Sequence, residues 1–439
     1  MPPSSTFTLS FVGDVMLGRL IDQLLPQHVE NKEEARIVSD FIERYPSRLG
    51  KGNYTHSSPW GTTLDLLRNT DLFLINLETS ATTTNEPWPQ KAFNYRMHPA
   101  NVAPILHAAH VDYAGLANNH TLDFGTEGLV DTVWSLKGAG VAFAGAGETT
   151  DEARRPAVLH LPPRGGEDGY HAHHHTDGQS QKKKEEEDDS TAAPEYTVHV
   201  YSASDHPRDW GATPTFHLLD YTPSTRVRLR TLLLSGGPGK HIADDDAGGL
   251  TASDPEDRER HHSHRRHQLK QDTQPPPPAL KIFSVHWGPN YSWHPAERIR
   301  SLAHFLIDEC AVDIVHGHSS HHVQGVESYR GKIIIYGCGD FVDDYAVHEE
   351  WRNDLSAVWK VRVRETEQET ERGKALGLKL ERLEIFPTRI ERFRATLLDP
   401  DDEDHVWVRE KIAGLSREFG MVVNKELGEE GQVVLDVGG

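Results

Sequence analysis

Short apolar runs, each bounded by Gly, Pro, Asn or Asp, punctuate this chain from its beginning. TFTLSFVGDV, DLFLINLE, VDYAGLANN, GVAFAG, LKIFSVHWG, VDIVHGH and GKIIIYGCGDF are rich in β-branched and aromatic residues and read as buried strands. Between them, TTLDLLRN, NVAPILHAAH, TEGLVDTVWSLKGAG and AERIRSLAHFLIDECA read as helices. The alternation predicts βα units and an α/β fold, its sheet covered on both faces by helices. EYTVHVYSASDHP, residues 195–207, adds a strand and a turn. From Leu355 two long strands follow, LSAVWKVRVRE and LGLKLERLEIFPTRI, then a helix over about 404–419 and a short strand, QVVLDV.

Two stretches break this pattern, at about 162–194 and 236–278. Both lack apolar periodicity, and neither can bury enough surface to offset its ordering entropy. They are expected to be disordered low-complexity insertions within one domain, because the strand at 195–207 lies between them. Their histidine-rich runs, at 171–175 and 261–267, read as solvated sequence and not as metal sites. The expected organisation is a domain over 7–398 and a C-terminal helix and strand extension over 399–439.

Composition narrows the function. The chain has 46 Lys and Arg against 67 Asp and Glu, a net charge of −21, which excludes the basic footprint of a nucleic-acid binder. An anionic substrate stays open, because a bound cation reverses the field locally. Only two cysteines are present, so neither a disulfide framework nor cysteine-held zinc is expected. The N-terminus lacks a basic, then apolar, leader, and no apolar run approaches the roughly 18–20 residues of a spanning helix. The expectation is a soluble cytoplasmic protein without a membrane anchor.

The strand ends carry the chemistry. Asp14 follows FVG, Asn76 and Glu78 lie in INLE, and Asn118, Asn119 and His120 follow AGLA. His286 follows FSV; His316, His318, His321 and His322 follow DIV; Asp340 follows IIIYGCG. Ligands gather outside the carboxyl ends of strands in α/β sheets. Each residue alone has a plain reading: Asp14 in a tight turn, Glu78 as a helix cap, His286 as a packed core imidazole. Four histidines in HGHSSHH after a buried strand rarely serve packing alone. Of these, His318 and His321 read as functional, His316 as part of the strand and His322 as flanking. Carboxylates, an amide and imidazoles converging from several strands are what a metal centre requires.

GDVMLGR, NLET, GLANNHTLDFG, HWG, GHSSHHVQGVE and YGCGDFV occur in the order of the CapA-type poly-γ-glutamate capsule-synthesis family, which the chain resembles over residues 7–342. RNDL, residues 352–355, extends the match. The resemblance implies a layered α/β/β/α sandwich of the metallo-dependent phosphatase type, similar to calcineurin-like metallophosphoesterases. It implies one or two divalent ions (Mn, Zn or Fe) held by Asp14, Glu78, Asn119, His286, His318 and His321, with Glu78 bridging. Met16 stands where the phosphoesterases have a ligand histidine. Asn76 and Asp340 would contact substrate or support the ligands. His120 matches the histidine that protonates a leaving group, with Asp123 orienting its other ring nitrogen. Arg19 would hold a substrate carboxylate or phosphate, or else form a salt bridge. Asn118 is assigned to the turn. The implied activity is hydrolysis of a poly-γ-glutamate-like polymer or a γ-glutamyl amide conjugate. The alternatives are a non-catalytic accessory role in polymer synthesis and metal-dependent phosphoesterase activity on an anionic or small-molecule substrate.

Overall fold

A computed structural model describes residues 5–161, 196–235, 277–370 and 373–437. Both expected insertions, with their histidine-rich runs, lie outside the described residues apart from Pro277 and Pro278. In chain order the strands are β1 (Thr6–Val15), β2 (Leu72–Leu77), β3 (Ser80–Ala81), β4 (Arg96–Met97), β5 (Tyr113–Gly115), β6 (Ala142–Ala144), β7 (Ala157–Leu161) and β8 (Tyr196–Ser204). They continue as β9 (Leu280–His286), β10 (Ile314–His318), β11 (Val326–Tyr329), β12 (Lys332–Ile335), β13 (Asp340–Val342), β14 (Leu355–Thr370), β15 (Gly373–Ile390), β16 (Ala395–Leu397) and β17 (Val433–Asp436).

These strands build two large sheets. One runs β16-β15-β14-β1-β2-β5-β6, with β13 also beside β1 and β17 beside β15; the other runs β11-β12-β10-β9-β8-β7. The period-2 alternation explains how wholly apolar strands are used. Leu72 and Leu74 pack with Val198, Val200, Leu280, Ile282 and Ile314 of the opposite sheet. The intervening Phe73 and Ile75 pack with Ile105, Leu106, Leu129 and Val133 of the helices Val102–Ala108 and Gly125–Ala139. In the second sheet, Phe283 and Val315 likewise turn away from Ile282 and Ile314 to meet Leu229 and Leu233 of Pro223–Ser235 and Leu302 and Leu306 of Glu297–Cys310.

Mixed α/β architecture is therefore as expected, but alternation alone suggested one sheet between two helix layers. Here strand residues of each sheet cluster partly with helices and partly with strands of the other sheet. A fully buried strand reads as apolar whichever layer covers it, so the pattern could not separate the two arrangements. GKIIIYGCGDF also splits. β12 stays in the second sheet, the chain crosses at Tyr336–Gly339, and β13 joins the first.

The helix Lys32–Arg44 was not expected. Asn31 caps it by accepting from Glu33 N and Glu34 N, and Ile37, Val38, Phe41 and Ile42 form one apolar face packed on the core, although only Val38 is fully buried. The C-terminal helix Glu403–Arg417 and β17 place Val408, Ile412, Val433 and Leu435 in the core between the sheets. No helix among the described residues is long and apolar enough to cross a membrane.

Candidate metal centre

Strand register assembles the site. Asp14, at the end of β1, pairs with Asp340 of β13 on one side and with Asn76 of β2 on the other. In the second sheet His318 pairs with His286, and His286 with Ser204. Two rows of strand-end residues thus meet across the interface between the sheets. The first row depends on Gly13: a Cβ there would lie 1.8 Å from Gly339 O, and Asp14 N donates to that same carbonyl at 3.1 Å. Only glycine lets the crossing segment approach closely enough to set Asp340 beside Asp14.

Two groups of potential ligand atoms result, Asp14–His286–His318 and Asp14–His321–Asp340, and Asp14 is common to both. His286 Nδ1 and His318 Nδ1 face each other at 2.9 Å, and His321 Nδ1 lies 2.8 Å from Asp340 Oδ1. Glu78 reaches toward both imidazole sets, with Oε2 3.8 Å from His286 Nδ1 and Oε1 3.8 Å from His120 Nε2. Asn76 Nδ2 ties the carboxylates together, donating to Asp14 Oδ1 at 2.7 Å and Glu78 Oε2 at 3.0 Å. Ser319 N donates to Asp14 Oδ2 at 3.2 Å. Ser319 (φ 95°) and His321 (φ 60°) hold left-handed backbone, which costs about 1–3 kcal/mol per residue and persists only where its surroundings enforce it.

The group fits a cation. Glu78 Oε1, Asn119 Oδ1, His286 Nε2 and Asp340 Oδ2 are buried with no hydrogen-bond partner, a costly condition unless something accepts their lone pairs. Burial, then repulsion from Asp14 and Asp340, pushes the Glu78 carboxyl well up; burial and Asp14 do the same to Asp340. Burial pulls His286 and His318 well down, with neighbouring histidines adding to it, and lowers His321 against the pull of Asp14. A divalent ion inverts that balance by favouring ionised carboxylates and neutral imidazoles. Mixed carboxylate and imidazole donors suit Mn, Fe or Zn.

Beside this group, His120 Nδ1 lies 2.5 Å from Asp123 Oδ2, which also accepts from Tyr95 N at 2.6 Å. Burial lowers the His120 pKa, with Asp123 opposing. Asn118 does more than form the turn: it donates to Asn76 Oδ1 at 3.0 Å and Leu77 O at 2.8 Å, and accepts from His120 N at 3.1 Å. His316 is a strand residue, its Nε2 2.9 Å from Val12 O. His322 flanks the centre, with Nδ1 3.0 Å from Val323 O and its ring against Trp293. Met16 is fully buried in the core, and the side chain that register places beside Asp14 is Asp340. Arg19 has the salt-bridge partner, with Nε 3.6 Å from Asp344 Oδ2 and its guanidinium over Phe93 and Tyr95.

Sequence reasoning missed Lys91 and Asp343. Lys91 Nζ bonds Asp123 Oδ1 and Asn119 O and lies 3.3 Å from His120 Nδ1. Asp343 is buried, and burial with Asp340 nearby pushes its carboxyl well up. Lys91 sits in a loop without period, so nothing local marked it, whereas Asp343 directly follows Phe341 and Val342 of β13, a strand end that could have drawn attention to it.

Comparison with known proteins identifies the family. The family described as bacterial capsule synthesis protein PGA_cap matches residues 8–345. A probable polyglutamine synthesis accessory protein of Mycobacterium tuberculosis is 34% identical over 95% of this chain and 93% of its own. The capsule biosynthesis protein CapA of Bacillus anthracis is 22% identical over 77% of this chain and 60% of its own. The PGA biosynthesis protein CapA of Bacillus subtilis is 22% identical over 76% and 63%. With the family matched over most of its length, the chain belongs to the bacterial capsule synthesis PGA_cap family.

Proposed function

We propose that this protein is a metal-dependent hydrolase of the CapA type, cleaving amide bonds in a poly-γ-glutamate-like polymer or a γ-glutamyl conjugate. Its two stacked sheets, flanked by helices, we read as the α/β/β/α sandwich of the metallo-dependent phosphatases. One observation carries the reading: four buried, unpartnered donor atoms surround two acid–imidazole groups that share Asp14, next to an oriented histidine. Asp14, Glu78, Asn119, His286, His318, His321 and Asp340 would hold one or two divalent ions. Such an ion supplies an acidified water and polarises the bond to be cleaved.

The chain's own residues do the rest. Asp123 fixes the His120 ring through Nδ1, leaving Nε2 on the side of Glu78 and the centre. From Nε2 a proton passes to the leaving nitrogen as the C–N bond breaks. Lys91 anchors Asp123 and the Asn119 backbone, so the acid and a ligand share one brace.

A second reading, a non-catalytic accessory role in polymer synthesis, draws on the names of the relatives. A third, phosphoester hydrolysis, rests on fold analogy alone. Metal analysis of the purified protein, followed by assays on γ-glutamyl peptides and phosphoesters with added Mn²⁺ or Zn²⁺, separates them. The hydrolase reading expects stoichiometric metal and a loss of about 10²–10⁴ in rate for His120→Ala. Substoichiometric metal with an unaffected variant sinks it in favour of the accessory role, and cleavage of phosphoesters alone selects the third.

A further inference from the structure

A polar cavity of about 230 Å³ is lined by Val29, Glu34, Asn85, Asn94, Arg96 and Phe124 among others. Arg96 and Phe124 each stand one residue beyond a member of the Tyr95 N to Asp123 Oδ2 hydrogen bond, so part of the cavity lining adjoins in sequence the residues that hold His120. The Arg96 guanidinium bonds Thr84 O and, at 2.9 Å, Asn85 Oδ1, with Phe124 beneath it at 4.6 Å. Among the described residues no carboxylate lies within ion-pair distance of it, and burial lowers its pKa. Glu34, on the same cavity, forms no ion pair among the described residues, with Arg19 and Arg96 acting on it only at longer range, and burial raises its carboxyl to about 7. Asn94 Oδ1 is buried with no donor.

A guanidinium and a carboxylate that share a cavity without touching leave a gap for a ligand of both signs. We propose that this cavity binds a small α-amino acid zwitterion, its carboxylate on Arg96 and its ammonium between Glu34 and Asn94 Oδ1. The volume is below the roughly 300–1,000 Å³ of sites for drug-sized ligands, which suits a single amino acid. The identity of the bound residue rests on the hydrolase reading: an amino-terminal γ-linked glutamyl unit displays both groups on its α-carbon. The cavity would seat that unit near the residues that hold His120.

Titration calorimetry on the full-length protein tests this with L-glutamate, γ-glutamylglycine and glutarate, which lacks the ammonium. The first two should bind, glutarate at least about tenfold more weakly, and Arg96→Gln and Glu34→Gln should each weaken L-glutamate at least about tenfold. Glu34→Gln is isosteric, and its melting curve controls for folding should Arg96→Gln fail. The proposal is overturned if L-glutamate does not bind, if glutarate binds as well, or if Glu34→Gln binds L-glutamate like the wild type. Metal content measured on the same samples keeps the readings apart. Glutamate binding without metal removes the hydrolase and leaves the site, whereas metal-dependent hydrolysis without glutamate binding removes the site alone.

Discussion

Asp14 is the residue on which the centre turns, because both ligand groups use it while His318 and Asp340 each serve one. On the proposed two-ion reading, Asp14→Asn should weaken both ions and Asp340→Asn only the one beside His321, each by at least about 10–100-fold in affinity; metal stoichiometry after dialysis reads the difference. Away from the centre, His217 makes a separate prediction. It is buried with Nδ1 2.7 Å from Ser202 O, and burial lowers its pKa to about 4. Between that value and the unfolded value of about 6.5 the unfolded chain binds more protons, so stability rises with pH. The contribution, about 3 kcal/mol, is present above pH ~6.5 and lost as pH falls toward 4. Melting at pH 5 and pH 7 should show a smaller gap in His217→Asn than in the wild type. At this scale the sequence was legible where a candidate ligand ends an apolar run, as with Asp14, His286 and His318, which the fold brings together. It was silent for Lys91, whose loop reaches Asp123 only in the folded chain.

Among the elements, β1 and the β12–β13 crossing decide whether the site exists. Gly13→Ala pushes a methyl into Gly339 O, so the crossing must retreat and carry Asp340 away from Asp14. A loss of about 1–3 kcal/mol is expected from the overpacking, read as a lower denaturation midpoint, together with reduced metal content. FVGD and YGCGDF announced two strand ends, but not that they would lie side by side. That pairing follows from the chain changing sheets between Ile335 and Asp340, and no local pattern encodes the change. The helix Lys32–Arg44, by contrast, did carry a local signal, since Ile37, Val38, Phe41 and Ile42 recur at helical spacing after the Asn31 cap.

For the whole molecule, the last forty or so residues looked like an appendage, yet Val408, Ile412, Val433 and Leu435 sit in the core between the sheets. At about 1.5–3 kcal/mol for each buried aliphatic, removing them approaches the entire stability of about 5–15 kcal/mol usual for a domain. Truncation after Leu398 should leave the protein in the insoluble fraction, whereas a cooperative melt of the truncated chain would show an independent extension. The central position of β1 carries a consequence in time. Its residues from Thr6 to Phe11 pair with Arg364 to Trp359 of β14, while Leu9 onward pairs with Leu72 onward of β2. During synthesis one edge of β1 finds its neighbour early, and the other waits for almost the whole chain. At about 5–20 residues per second that wait is roughly 20–70 s, with an apolar strand edge open to other nascent chains. The first strand made is among the last to be enclosed, so yield in the cell should depend on what shelters that edge in the interval.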